Sequence, residues 1–151
     1  MKWYNTVTQD LSTLPNFISF YENELVQAKK ETSVRGNIER SLSDLPGILE
    51  ERFSQLQDIE AVLHYLNIRL RKVRADSFKK FLEAYPRALT SRDADKYVDG
   101  DDDVISDELL VNEVALLRNR WLSIIKSLES KSFSLNNITK LRVAGMEDAS
   151  I

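Results

Sequence analysis

The chain has 151 residues, with 21 Lys plus Arg against 24 Asp plus Glu, no cysteine, one histidine and four glycines. Without cysteine and with His64 alone, thiol chemistry, disulfides, zinc fingers and iron–sulfur sites are excluded, and any Ser-His-Asp site would have to run through His64. A net charge of −3 speaks against a wholly basic nucleic-acid binder, 42% apolar content against a disordered tail, and the lack of glycine-rich dinucleotide or Walker-type motifs against Rossmann and P-loop sites.

The N-terminal run Met1-Lys2-Trp3-Tyr4-Asn5-Thr6 lacks the apolar stretch of a signal peptide, and charges interrupt every hydrophobic segment within about one turn. No membrane partner and a cytoplasmic location are therefore expected. Apolar residues recur mainly at spacings of three and four, which predicts an all-α fold, one helical domain over 1–151. The first helix is expected over Asn16–Thr32, with Phe17, Ile18, Phe20, Tyr21, Leu25 and Ala28 on its apolar side. A loop over Thr32–Gly36 and a short amphipathic piece over Asn37–Leu45 follow, closing an N-terminal segment over 1–45. Asp44 then serves as an N-cap, with Pro46 in the opening turn, where its missing N–H costs nothing.

The long helix over 46–85 carries the clearest pattern. Leu49, Leu56, Leu63 and Leu70 recur every seven residues, and so do Arg52, Ile59, Leu66 and Val73. That is a coiled-coil-like seam with one charged exception, broadened by Phe53, Val62, Tyr65 and Ile68. It fits either the core of a helical bundle or a helix shared between subunits. The helix should end near Tyr85, because Pro86 disfavours helical geometry before it. An acidic loop is expected over 93–105, then a helix from Ser106 or Asp107 to Ser130. A short terminal helix over Ile138–Val143, capped by Asn136 or Asn137 and stopped by Gly145, completes the C-terminal segment over 106–145. A homo-oligomer of such helices would meet through Leu56, Ile59, Leu63, Leu66, Leu70, Leu117, Trp121 and Ile125.

Charge is segregated along the chain. Residues 1–60 carry −4, residues 61–92 carry +6, residues 93–113 carry −8 and residues 114–151 carry +3. The +6 block includes Arg69, Arg71, Lys72, Arg74, Lys79 and Lys80, interleaved with Tyr65, Phe78, Phe81 and Tyr85. Cations along a rod with aromatic platforms between them suit sequence-tolerant binding of single-stranded nucleic acid. If Leu63, Leu66, Leu70 and Val73 face inward, Arg69 and Arg74 flank the seam while Arg71 and Lys72 face water. The acidic run fails as a calcium loop. With Gly100 at the loop glycine, Tyr97 falls third and Ser106 twelfth, so the bidentate Glu is missing. A solvated acidic loop is the simpler reading, one also placed to compete with phosphates for the basic block or to dock a cationic partner. No constellation supports catalysis, a metal or a cofactor.

From Asp95 onward the chain resembles the UvsY family of phage recombination mediators, of T-even-like and cyanophage type. The matching runs are Lys96-Tyr97-Val98-Asp99, Ile124-Ile125-Lys126-Ser127-Leu128, Lys131-Ser132-Phe133-Ser134-Leu135, Asn136-Asn137-Ile138 and Arg142-Val143-Ala144-Gly145. The basic run Arg69-Leu70-Arg71-Lys72-Val73-Arg74 sits where that family carries its basic helix. The resemblance covers about Pro46 to Gly145 and departs at Phe78-Lys79-Lys80-Phe81, where the family has an aromatic pair and a glycine. It implies a non-enzymatic homo-oligomer in the host cytoplasm that binds single-stranded DNA through Arg69, Arg71, Lys72 and Arg74. Such a protein helps load a RecA-like recombinase onto strands coated by single-stranded DNA-binding protein. Two rival readings share the same helices: a phage structural or assembly protein, and a helicase-loading adaptor.

Overall fold

The computed structural model describes residues 2–85 and 88–146. These form helices α1 (Lys2–Gln9), α2 (Leu14–Glu31), α3 (Ile38–Ala84), α4 (Ser91–Asp99) and α5 (Asp102–Val143), with a 3-10 turn at Leu11–Thr13 and no strand among the described residues. The fold is all-α, as the three-and-four spacing predicts. No helix among the described residues is long and apolar enough to cross a membrane.

Local chemistry sets the helix ends. Asn37 accepts the Arg40 N–H at 2.9 Å and opens α3, and Thr90 accepts the Asp93 N–H at 3.2 Å and opens α4. Asp101 does the same for α5 through the Asp103 N–H at 3.0 Å. Gly36 takes φ +79° in the turn before α3, a region that favours glycine. Gly145, at φ +76°, ends α5 with the Met146 N–H donating to the Leu141 carbonyl at 2.9 Å, the terminal stop expected from sequence.

Three boundaries differ from expectation. The piece over 37–45 and the helix from 46 are one 47-residue helix, α3, with Pro46 inside it. Asp44 therefore caps nothing; it lies exposed in mid-helix, 3.6 Å from Arg40 one turn back. Buried Leu45 and half-buried Ile48 and Leu49 anchor α3 around the proline, whose own side is exposed. The acidic segment over 93–105 is not a loop: it comprises most of α4, a tight turn at Gly100, and the start of α5. The two expected C-terminal helices are one 42-residue helix, and Asn136 and Asn137 lie within it. The interruption in the apolar pattern at Lys131 is filled from elsewhere, because its buried ammonium donates to the Glu31 carbonyl at 2.8 Å. That bond also satisfies an acceptor at the C-terminus of α2.

The chain divides into two compact units, each built from two chain segments. One runs up to Leu14 and from Asp58 to Leu116; the other runs from Pro15 to Gln57 and from Leu117 onward. The core of the second unit comes from Phe17, Tyr21 and Leu25 on α2, Leu45 and Leu56 on α3, and Trp121, Ile124 and Leu128 on α5. Tyr21 meets Trp121 edge-on at 5.7 Å. Each fully buried aliphatic or aromatic side chain of this kind contributes about 1.5–3 kcal/mol. The first unit buries Val7 and Leu14 together with Ile59, Val62 and Leu66 of α3, Ala94 and Val98 of α4, and Val104 and Val114 of α5. Within it, buried Asp58 accepts the Tyr4 N–H at 3.2 Å, satisfying a donor in the first turn of α1.

Candidate nucleic-acid interface

All six cations expected to bind nucleic acid lie on α3 within the first unit, but their surroundings divide them into two sets. Arg71 and Lys72 are exposed and make no ion pair among the described residues. Lys79 is exposed seven residues beyond Lys72, on the same side of the helix, and reaches Glu83 only at 4.0 Å. These three charges meet water, as the inward placement of Leu66 requires.

The other three already have carboxylate partners. The Arg69 guanidinium donates to Asp107 at 3.0 Å. Arg74 bridges α4 and α5, donating to Asp99 at 2.7 Å and to Glu108 at 3.0 Å. Lys80 lies 3.8 Å from Asp101, whose same oxygen accepts a hydrogen bond from the Ser77 hydroxyl. The pairing shifts proton affinities in the expected directions. The Asp99 hydrogen bond, followed by the charges of Asp99 and Glu108, raises the Arg74 guanidinium despite some desolvation. The Ser77 hydroxyl, then the Asp103 N–H, hold the Asp101 carboxyl below its ordinary value, with Lys80 adding a smaller push. The −8 segment is thus folded onto part of the +6 block.

An aromatic ladder stands at the end of this helix. Phe81 stacks on Tyr97 with centroids 5.4 Å apart and planes 28° from parallel; Tyr85 tilts over Tyr97 at 5.4 Å and 35°. Tyr85 and Tyr97 are exposed, and the Lys80 ammonium lies 5.3 Å from the Phe81 centroid. Phe81 and Tyr85 were legible as platforms in the sequence. Tyr97 was not: it comes from α4, and the sequence offers it only as a misfit in the calcium register and as part of the Lys96-Tyr97-Val98-Asp99 run. A helical reading of 91–99 places it one turn beyond exposed Asp93 and buried Ala94. Tyr65 and Phe78 are half-buried and stand outside the ladder.

The residues expected at an interface between copies are placed differently from that expectation. Leu56, Ile59, Leu66, Leu117, Trp121 and Ile125 are buried within the single chain, while Leu63 and Leu70 are half-buried. The seam is spent on the chain's own core. Arg52, its charged exception, is buried as well, held by Glu31 at 2.7 and 2.8 Å, by Glu24 at 2.8 Å and by Gln55 at 2.8 Å, with Trp121 beneath it at 5.6 Å. His64 is exposed on α3. Among the described residues, no group of three or more His, Asp or Glu side chains is disposed to hold a metal ion. The acidic residues Asp99, Asp101, Asp107 and Glu108 instead face cations. No family model matches the chain, nor does any curated protein or solved structure.

Proposed function

We propose that the chain is a non-enzymatic mediator that binds single-stranded DNA and promotes loading of a RecA-like recombinase onto strands coated by single-stranded DNA-binding protein. The observation that carries this reading is the open cationic face of α3, Arg71, Lys72 and Lys79, in the same unit as the ladder that half-buried Phe81 of α3 forms with exposed Tyr85, just beyond α3, and exposed Tyr97 of α4. Phosphates need accessible cations and bases need accessible aromatic rings; exposed Arg71, Lys72 and Lys79 and exposed Tyr85 and Tyr97 supply them within the first unit. The sequence resemblance to the UvsY family supports the same reading and supplies the partners. A site of three exposed cations is weak alone, so the mediator works as a homo-oligomer whose sites add by avidity. Loading is then an exchange in which the assembly holds DNA in a form that the recombinase binds better.

Charge reversal tests the site. Arg71→Glu with Lys72→Glu should lower affinity for an oligo-dT strand roughly tenfold at low salt, with the helical signal unchanged. Binding equal to the wild type would remove this face of α3 as the site. The internal pairing of Arg69, Arg74 and Lys80 favours a second reading, an assembly protein whose opposite charges serve only its own architecture. That protein would not shift an oligonucleotide even at low salt.

A further inference from the structure

Three cations on successive stretches of α3 each face a carboxylate from one short acidic segment, and we infer that Asp99–Glu108 is an internal substitute for phosphate that keeps half of the α3 site closed until nucleic acid displaces it. The inference rests on the single-stranded DNA reading above and concerns regulation of that site. Carboxylate and phosphate oxygens make the same charge-assisted bonds to guanidinium and ammonium groups. Asp99, Asp101, Asp107 and Glu108 occupy such positions around Arg74, Lys80 and Arg69.

The geometry makes the occupation reversible where it matters. The Arg69, Arg74 and Lys80 side chains keep 42%, 37% and 63% of their surface exposed, so an incoming phosphate can reach each without unfolding α3. Exposed pairs of this kind are weak and screened by salt. The Asp107 and Asp101 side chains are both nearly enclosed, but Asp107 holds Arg69 at 3.0 Å whereas Asp101 holds Lys80, itself 63% exposed, only at 3.8 Å, so the exchangeable contacts of the cover are those of Asp99, Asp101 and Glu108. Asp99 and Asp101 flank the tight turn at Gly100, where α4 ends and α5 begins, and Glu108 lies in the second turn of α5. Arg71, Lys72 and Lys79 stay open throughout and serve as the landing site. Nucleic acid bound there then competes for the covered cations, which selects ligands with closely spaced phosphates over isolated anions.

The test compares three proteins on oligo-dT across a salt series: the wild type, the trio Asp99→Asn/Asp101→Asn/Glu108→Gln, and a control trio Glu50→Gln/Glu51→Gln/Glu129→Gln that changes net charge equally at exposed positions away from the site. Asn at 101 keeps the ability to cap α5. The first trio should bind tighter than the wild type, with a log–log salt slope steeper by about 1.4, since Arg74 and Lys80 each add about 0.7 when freed. The control trio should keep the wild-type slope. An equal change in both trios would reduce the effect to bulk charge and overturn the inference, as would wild-type behaviour of the first trio. If the wild type itself binds nothing at low salt, the reading of function falls; if it binds and the first trio is no different, only the inference falls. Hydrogen exchange on the wild type gives a readout independent of the variants' folding: adding oligo-dT should speed exchange over 99–104, and unchanged or slower exchange there would contradict displacement.

Discussion

Arg52 sits at a heptad position that its neighbours fill with Ile59 and Leu66, yet its side chain is only 5% exposed. A buried guanidinium is tolerated when each donor is answered, and here two carboxylates and an amide oxygen answer it while its flat face lies over Trp121. The Glu31 hydrogen bonds raise the Arg52 guanidinium, and Gln55 followed by Arg52 lowers the Glu24 carboxyl. Arg52→Ala would strand Glu31 and empty the space over Trp121, so it should cost about 3–5 kcal/mol in denaturant unfolding. The acid limb follows from the direction of the carboxyl shifts. Glu24 and Asp101 hold folded values below their ordinary 4.5 and 3.8, so their contribution is complete above those values and is lost as pH falls through the lower folded ones. Melting temperature should therefore be nearly flat from neutral pH down to about pH 5 and drop below about pH 4, and Glu24→Gln should flatten that drop. Titrating the variant and the wild type side by side over that range checks the sign.

At the scale of elements, Pro46 is the clearest conflict between local preference and tertiary structure. It removes one bond from the interior of α3, to the carbonyl of residue 42, and packing of Leu45 holds the helix continuous regardless. Pro46→Ala should accordingly raise stability, by about 1–3 kcal/mol, with an increase in helical signal no larger than a turn. No change in unfolding midpoint would mean that α3 is not continuous there. The same competition explains what the sequence concealed. Leu56, Ile59 and Leu66 were legible as an inward face because their spacing states it. The junctions at 45–46 and 130–136 were not, because a proline and a buried Lys131 look like interruptions when their compensations lie elsewhere in the chain. Lys131 finds its partner a hundred residues away, at Glu31. Asp107, expected at the start of a helix, lies inside α5 and pairs with Arg69 thirty-eight residues back. Periodicity reports apolar faces; it is silent about buried charges whose partners are remote.

For the whole molecule, the total of −3 describes a surface that does not exist as such. The −8 segment lies against part of the +6 block, so a ligand meets the remainder: Arg71, Lys72 and Lys79 on α3. Legibility here was partial for a physical reason, since segment charges can be summed from sequence while their mutual cancellation depends on packing. Burial of Leu56, Ile59, Leu66, Leu117, Trp121 and Ile125 in the chain's own core also means that assembly of copies has to draw on other surface. The central claim is that the open face of α3 takes the phosphates of single-stranded DNA, and a salt titration of oligo-dT binding, with the wild type and Arg71→Glu/Lys72→Glu in parallel, tests it most directly. Three exposed cations per chain predict a log–log slope of about −2 for the wild type and a weaker, shallower dependence for the variant. A wild type that does not bind at low salt, or binds with the same affinity and slope as the variant, would contradict it.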